Sequence, residues 1–226
     1  LPTIDFLDIL PEVKETITHY SALSHGSTIS DYVLLKGLAR KFEECRYLEI
    51  GTWLGESLVN IASIAKECIS ISLSDKELQL QGATEEEILI QRIFSKNLSN
   101  IKHIKHNSKT FNFSSIGKFD FIFIDGDHSY KGVKNDTENA FKVLKDNNSI
   151  IAWHDYSDLT GNTINWGVLA GILDGCPKKN LKNLYHVSNT MCLIYINKKF
   201  NVKDIPSLIP NKTFTMNLSL KEFKNQ

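Results

Sequence analysis

The stretch from Phe119 to Tyr130 constrains the fold more than any other part of the sequence. It reads Phe-Asp-Phe-Ile-Phe-Ile-Asp-Gly-Asp-His-Ser-Tyr, so an apolar run ends abruptly in two acids and a histidine. A run this rich in Phe and Ile predicts a strand that is buried on both faces, as in the centre of a parallel sheet. In open α/β sheets, ligands bind just beyond the carboxyl ends of such strands. The pattern therefore predicts an α/β fold with a functional site directly after this strand.

A second polar cluster, Trp153-His154-Asp155, ends the next apolar run, which begins at Ser149. Because the carboxyl ends of neighbouring parallel strands meet at the same edge of a sheet, we expect the two clusters to form one site. Carboxylates and imidazoles are unfavourable to bury unless they are paired or hydrogen-bonded. Their presence after two buried strands favours a function over a purely structural role.

The rest of the chain alternates between predicted strands and predicted helices. The predicted strands cover 47–50, 68–73, 101–106, 119–124, 149–153, 185–187 and 191–196, and the predicted helices cover 56–66, 84–98, 133–144 and 165–173. This alternation is typical of a doubly wound, mostly parallel sheet, here with seven strands and a closing antiparallel hairpin. We divide the chain into a helical N-terminal segment (1–44), a central domain (45–197) and a tail (198–226) packed on that domain.

Composition narrows the class of partner. The 226 residues contain 26 Lys and Arg against 26 Asp and Glu, so the formal net charge is zero. This balance argues against nucleic acid and against an anionic membrane surface, and it favours a small-molecule partner. The four cysteines form no C-x-x-C pair, and no transmembrane run or leader pattern occurs in the sequence. These features predict a cytoplasmic protein with reduced thiols.

A turn with two glycines, Glu49-Ile50-Gly51-Thr52-Trp53-Leu54-Gly55, lies between the first strand and the helix that follows it. Glycine lets the backbone turn sharply and approach a ligand closely. The turn lacks the third glycine of the dinucleotide motif, and the acid before the first glycine would repel a phosphate. An acid suits a cationic ligand such as an ammonium or a sulfonium. Asp75, after the second strand, either binds both ribose hydroxyls of a nucleoside or only caps the segment around Lys76.

The order strand, E-x-G-x-x-x-G, helix, strand, acid resembles the class I S-adenosylmethionine-dependent methyltransferases. The segments Phe-Ile-Asp-Gly-Asp-His-Ser-Tyr and Ile-Ile-Ala-Trp-His-Asp-Tyr resemble one branch of that class. This branch contains small bacterial O-methyltransferases that act on sugars of antibiotics and surface glycans, akin to the catechol and caffeoyl-coenzyme A enzymes. The resemblance covers about residues 25–196 and implies a Rossmann-like methyltransferase fold.

The resemblance also implies the cofactor and the residues that bind it. Glu49 and the two glycines would line the methionine part of S-adenosylmethionine, and Asp75 would bind the ribose. Asn107 stands where the family often has an acid near the adenine. The residues that the resemblance assigns to the cofactor are Glu49, Gly51, Gly55, Asp75, Asn107, Ser108 and Asp125.

By the same resemblance, Asp125, His154 and Asp155 would hold a divalent cation. A metal bound to the acceptor hydroxyl lowers its pKa and fixes its position for methyl transfer. Carboxylates favour Mg²⁺, which we expect first. His154 stands where relatives often have an acid, and an imidazole favours Mn²⁺, Fe²⁺ or Zn²⁺ instead. The alternative is that His154 only orients Asp155.

Asp127 and His128 are the candidates for the general base, and related enzymes use either position. Histidine titrates near neutrality and can accept a hydroxyl proton. Asp127 could do the same, or it could hold His128 in one tautomer. His25 lies where relatives place a mobile substrate lid.

We therefore predict a cytoplasmic, metal-dependent O-methyltransferase that acts on a hydroxyl of a sugar, nucleotide-sugar or similar polyhydroxylated small molecule. Adjacent hydroxyls would be natural bidentate metal ligands. A homodimer is expected by analogy alone. One alternative is a mononuclear non-haem iron oxygenase that uses His128, His154 and a carboxylate. The other is a non-catalytic S-adenosylmethionine-binding subunit, which would not need Asp125, His128 and Asp155.

Overall fold

One mixed sheet organises the protein. The computed structural model describes residues 1–23, 26–202 and 210–223. Ser24 and His25 lie outside the described residues, so the predicted lid histidine has no described position. Within the described residues the sheet has eight strands: β1 (Thr3–Ile4), β2 (Arg46–Ile50), β3 (Glu67–Ser72), β4 (Ile101–Lys105), β5 (Phe121–Ile124), β6 (Ile150–Trp153), β7 (Leu184–Val187) and β8 (Leu193–Tyr195).

The strands lie side by side in the order β1-β7-β8-β6-β5-β2-β3-β4. All neighbouring pairs are parallel except the two that involve β8, which is antiparallel to both β6 and β7. The predicted doubly wound sheet with a closing antiparallel hairpin is therefore confirmed. The strand that the sequence did not predict is β1, which pairs Thr3 with His186. Two residues are too few to show a hydrophobic period.

Helices cover both faces of the sheet. They are α1 (Phe6–Ile9), α2 (Ile29–Ala39), α3 (Glu56–Ala62), α4 (Asp75–Leu80), α5 (Glu85–Leu89), α6 (Tyr130–Lys142) and α7 (Trp166–Gly175), with 3₁₀ turns at Phe113–Ile116 and Lys178–Asn183. The sequence of β5 is apolar throughout because both faces of this strand are buried. Phe121 and Phe123 are buried in the core that contains α2, whereas Ile122 and Ile124 are buried in the core that contains α6 and α7.

The segment 1–44 is less helical than predicted. Between α1 and α2, residues 10–23 form neither helix nor strand. Pro11 and the β-branched Thr16-Ile17-Thr18 disfavour a helix there. The extended backbone is held by side chains instead, since Thr18 N donates to Asn60 Oδ1 at 2.8 Å.

The predicted helix 84–98 ends early, at Leu89 of α5. Arg92 N donates to Trp53 O at 2.6 Å, and Phe94 N donates to Leu54 O at 3.0 Å. These amides would be needed for intrahelical bonds if the helix continued. Contact with the glycine-containing turn therefore overrides the local preference for helix.

The described parts of the tail, residues 198–202 and 210–223, have no helix or strand. Its Lys212 Nζ lies 3.0 Å from Asp5 Oδ1, and the Phe214 ring meets the edge of Phe6 with 5.7 Å between centroids. Among the described residues, no helix is both long and apolar enough to cross a membrane.

Leu48 in the central strand β2 is fully buried, whereas Leu80 at the end of α4 is 79% exposed. Leu48→Ala is expected to lower the free energy of unfolding by about 2–5 kcal/mol, because it removes buried methyl groups and leaves a cavity. The same change at Leu80 should stay within about 0.5 kcal/mol. Urea unfolding of both variants measures the difference, and equal losses would contradict the assigned core.

Candidate functional site

The carboxyl ends of β2 and β5 touch, and the site begins at this contact. Ile50 and Ile124, the last residues of the two strands, are register partners. Gly51 follows with φ +92°, in the left-handed region that favours glycine. A Cβ atom on Gly51 would lie 2.1 Å from Asp125 O. The sequence places glycine here because two backbones meet without room for a side chain.

A pocket that opens to solvent, here called the Glu49 pocket, lies beside this contact. It is bounded by the glycine-containing turn, the start of α3 and the residues before α2. Its lining residues are Gly26, Ser27, Tyr32, Glu49, Gly51, Trp53, Leu54, Gly55, Glu56, Ser57 and Asp125. Four of the seven predicted cofactor residues therefore share one pocket, namely Glu49, Gly51, Gly55 and Asp125.

Glu49 is a fully buried carboxylate in this pocket. Its Oε2 accepts hydrogen bonds from Tyr47 Oη and Ser57 Oγ, each at 2.8 Å, and its Oε1 accepts one from Thr52 Oγ1 at 2.7 Å. Burial raises the pKa of Glu49 to about 7, although the three hydroxyls oppose this shift. Among the described residues it has no ion pair with a basic side chain. The pocket is thus complementary to a ligand that carries a positive charge.

The second part of the site is a group of three possible metal ligands, Asp125, His154 and Asp155. Their ligand atoms all lie within 4.8 Å of one another. His154 Nδ1 lies 3.4 Å from Asp125 Oδ1 and 3.2 Å from Asp155 Oδ1. Two carboxylate oxygens and one imidazole nitrogen are a donor set that fits a divalent cation. We call these three residues the metal group.

Asp155 has φ +53°, in the left-handed region. An aspartate there is under local backbone strain, and such strain often marks functional sites. Residues before Asp155 form β6, and Tyr156 N after it donates to Met191 O at 3.1 Å. The turn is therefore fixed on both sides, which holds the Asp155 carboxylate next to His154.

His128 reaches the metal group, and Asp127 does not. His128 Nε2 lies 3.4 Å from Asp125 Oδ1 and 3.2 Å from Asp155 Oδ2, and the side chain is 45% exposed. Asp127 instead receives a hydrogen bond from Lys109 Nζ at 2.6 Å and one from Ser129 N at 2.8 Å. Of the two predicted bases, His128 is the one beside the possible ligands.

The electrostatics of the metal group depend on mutual pairing. Burial raises the pKa of Asp125, but the His154 and His128 rings outweigh this and hold it below its usual range. Burial lowers the pKa of His154, but the carboxylates of Asp125, Asp155 and Asp31 raise it well above its usual value. A nitrogen that binds a metal must be deprotonated. A bound cation would therefore replace the proton on Nδ1 of His154, the nitrogen that faces Asp125 and Asp155.

Asp31 is the residue that sequence reasoning missed. It is fully buried at the third position of α2, and its Oδ2 lies 3.4 Å from His154 Nε2. The pattern Thr28-x-x-Asp31 is a capping box, so the sequence could have indicated the start of α2. It could not indicate the contact with His154, because the two residues are far apart along the chain.

The other three predicted cofactor residues lie outside the pocket lining. Asp75 is the first residue of α4, and its carboxylate lies 2.8 Å from Lys105 Nζ and 3.3 Å from Arg92 Nη2. Asn107 Oδ1 accepts a hydrogen bond from Lys109 N at 2.9 Å, and Ser108 O accepts one from Asn135 Nδ2 at 3.4 Å. Ribose binding by Asp75 and adenine binding by Asn107 and Ser108 stay predictions.

The central part of the chain is similar to a known family of domains. Residues 48–156, just under half of the chain, match the methyltransferase domain family. An uncharacterized protein of Acanthamoeba polyphaga mimivirus is 31% identical over 141 residues, which are 55% of this chain and 58% of that protein. The chain thus spans less than two thirds of the length of this curated relative.

Solved structures share the fold. A candidate O-methyltransferase from Klebsiella pneumoniae superposes with a TM-score of 0.54 at 15% sequence identity. The matched region covers 78% of this chain and 84% of the Klebsiella chain. The O-methyltransferase from Bacillus cereus, solved with S-adenosylhomocysteine, has a TM-score of 0.51 at 17% sequence identity. The matched region covers 77% of this chain and 84% of the Bacillus chain. At such identities the likeness shows the fold alone.

Residues 48–156 of this chain thus match the methyltransferase domain family, and they lie on a sheet with the Rossmann-like methyltransferase topology. This match agrees with the predicted class of enzyme over the matched residues. The domain includes the pocket turn, Asp125, His128 and both remaining members of the metal group. Asp31 lies outside it.

Gly51 and Gly82 make a matched pair, since their φ angles are +92° and +91° but no atom lies within 4 Å of a Cβ on Gly82. Both alanine variants carry the strain of a left-handed conformation, about 1–2 kcal/mol. Gly51→Ala is expected to lose about 1–3 kcal/mol more, because its Cβ overlaps the Asp125 backbone. Chemical denaturation of the two variants tests this, and equal stabilities would exclude the close contact of β2 and β5.

Proposed function

We propose that this chain is an S-adenosylmethionine-dependent O-methyltransferase that uses a divalent cation and methylates a hydroxyl of a sugar or another polyhydroxylated small molecule. The observation that supports this most strongly is the position of Asp125. Asp125 lines the Glu49 pocket and also belongs to the metal group. A cofactor in the pocket and an acceptor on the metal would therefore meet at one carboxylate.

The Glu49 pocket suits the methionine end of the cofactor. The buried carboxylate lacks a basic partner among the described residues, and a bound amino-acid ammonium would supply one. Ser57 and Gly51 line the same pocket as Glu49. When bound, S-adenosylmethionine supplies a methyl carbon on a sulfonium, which is open to attack by an oxygen nucleophile.

The metal group suits a divalent cation. Asp125, His154 and Asp155 would hold it, and it would supply positive charge that stabilises the acceptor oxygen as it loses its proton. Two carboxylates favour Mg²⁺, whereas the imidazole of His154 favours Mn²⁺. Because His154 Nδ1 faces both carboxylates, we infer that it is a ligand, and that Mn²⁺ is at least as suitable as Mg²⁺.

His128 is proposed as the general base. It lies beside Asp125 and Asp155 but remains half exposed, so it can reach an acceptor hydroxyl from the solvent side. The hydroxyl proton passes to the imidazole, the new O–C bond forms as the S–C bond breaks, and the sulfur keeps the electron pair. Asp127 is less suited to this role, because Lys109 already neutralises its carboxylate.

The acceptor class follows from how a hydroxyl would approach the metal group. Adjacent hydroxyls can bind a cation as a bidentate pair, which fixes one oxygen for in-line attack. This favours diols over isolated alcohols. The zero net charge of the chain also favours a small acceptor over a nucleic acid. The cytoplasmic location and the homodimer stay predictions.

The buried Glu49 carboxyl predicts that cofactor affinity depends on pH. The pKa of Glu49 is about 7 in the free protein, so the carboxyl is increasingly protonated below pH 7. An ammonium stabilises the carboxylate form, so binding must release this proton, and affinity should fall by up to about tenfold per pH unit below 7. Calorimetric titration with S-adenosylhomocysteine between pH 6 and 8 measures this.

Glu49→Gln is the control for that titration. It is expected to bind S-adenosylhomocysteine more weakly and without the slope between pH 6 and 7, because the amide cannot titrate. A variant that keeps both the affinity and the slope would show that Glu49 does not contact the ligand. Failure of the wild type to bind at any pH would reject the methyltransferase proposal itself.

Two aspartate variants, one inside the metal group and one outside it, test the role of the metal. Asp155→Asn should reduce Mn²⁺- or Mg²⁺-stimulated formation of S-adenosylhomocysteine from a panel of sugar diols by about 100-fold or more, because a charged ligand is lost. Asp146→Asn should leave the rate unchanged, since Asp146 precedes β6 at the opposite edge of the sheet.

Two results of the same assay would favour the alternatives. Consumption of O₂ in the presence of Fe²⁺, with no need for S-adenosylmethionine, would support the iron oxygenase. Tight binding of S-adenosylhomocysteine without turnover of any acceptor or dependence on metal would support a non-catalytic binding subunit.

A further inference from the structure

His154 is held between two different kinds of neighbour. Its Nδ1 faces Asp125 and Asp155, the other members of the metal group, at 3.4 and 3.2 Å. Its Nε2 lies 3.4 Å from Asp31 Oδ2, on the other side of the ring. Asp31 therefore contacts the imidazole from outside the metal group.

An imidazole can bind a metal only through a nitrogen that carries no proton. The hydrogen bond made by the other nitrogen decides which nitrogen that is. An ionised carboxylate only accepts hydrogen bonds, so a contact with Asp31 requires the proton to be on Nε2. Nδ1 then has a free lone pair that points at Asp125 and Asp155.

Asp31 is itself held firmly in place. Its Oδ1 accepts a hydrogen bond from Met191 N at 2.8 Å, and its Oδ2 accepts from Thr28 N and Thr28 Oγ1, both at 2.7 Å. These partners come from the start of α2 and from the loop before β8. The carboxylate is fully buried, so water does not compete for its oxygens. Its position relative to His154 is therefore set by two separate parts of the fold.

We propose that Asp31 is a positioning residue that presents Nδ1 of His154 to the divalent cation. The proposal rests on the proposed function, because it requires the metal group to bind an ion. It adds a residue outside the methyltransferase domain match to the working parts of the site. It also explains why an imidazole can act as a ligand here, since a free ring would sample both tautomers and several orientations.

The first test uses the full chain, stripped of metal, titrated with Mn²⁺ alone while the free ion is followed by electron paramagnetic resonance. Asp31→Asn keeps the shape of the side chain but removes its charge, and it is expected to weaken Mn²⁺ binding by about 10–100-fold. Thr84→Ala is the matched control. It removes an equivalent capping box at the start of α5, whose partner is Glu87 rather than Asp31 or His154, so its Mn²⁺ affinity should stay close to that of the wild type.

The second test observes the ring directly, and its measurement on the wild type does not depend on a variant that folds. In the Zn²⁺-loaded wild type, ¹⁵N resonances of His154 are expected to show a protonated Nε2 and a metal-bound Nδ1. In Asp31→Asn the two nitrogens should exchange roles in part of the population. A role limited to capping α2 would leave this signature unchanged.

The outcomes separate this proposal from the function on which it rests. Unchanged Mn²⁺ affinity in Asp31→Asn, or a metal-bound Nε2 in the wild type, would overturn the role of Asp31 while the metal group and the cofactor pocket stand. Absence of Mn²⁺ binding in the wild type would overturn both the metal group and the role of Asp31. Loss of S-adenosylhomocysteine binding alone would reject the proposed cofactor and leave the result for Asp31 intact.

Discussion

The backbone contact between the ends of β2 and β5 is the constraint on which the site depends. Gly51 lies so close to Asp125 O that no side chain fits between them. This contact brings the turn after β2, with its buried acid, next to the turn after β5, with its possible metal ligand. If the ends of β2 and β5 were further apart, the Glu49 pocket and the metal group would be separated. Ligands bound at the two places could then not react with each other.

Much of this arrangement was predictable from the sequence. The apolar run 119–124 indicated a strand buried on both faces, and β5 has its phenylalanines in one core and its isoleucines in the other. Polar clusters after β5 and β6 indicated a shared site, and their ligand atoms lie within 4.8 Å of one another. These features depend on local patterns and on the rule that parallel strands end at one edge, so one sequence suffices to find them.

Other features required the folded structure because they depend on contacts between distant residues. Residues 90–98 have the composition of a helix, yet Arg92 N and Phe94 N bond to the turn after β2. Asp31 is an ordinary capping residue in the sequence, and only the fold brings it to His154. The competition between Asp127 and His128 was also unresolved by sequence, since Lys109 had to be placed before Asp127 could be seen to face away.

The site is built from charged groups that the core does not favour, and full hydrogen bonding makes them tolerable. Asp31 and Glu49 are completely buried, and each accepts hydrogen bonds from at least three donors. Removal of one donor would leave a buried carboxylate partly unsatisfied, which is more harmful than the loss of the bond itself. This explains why Thr28, Thr52 and Ser57, which contact no metal ligand in the structure, are tied to the site. The polar network stabilises the carboxylates in ionised form, and it is this form that can bind an ammonium or orient a metal ligand.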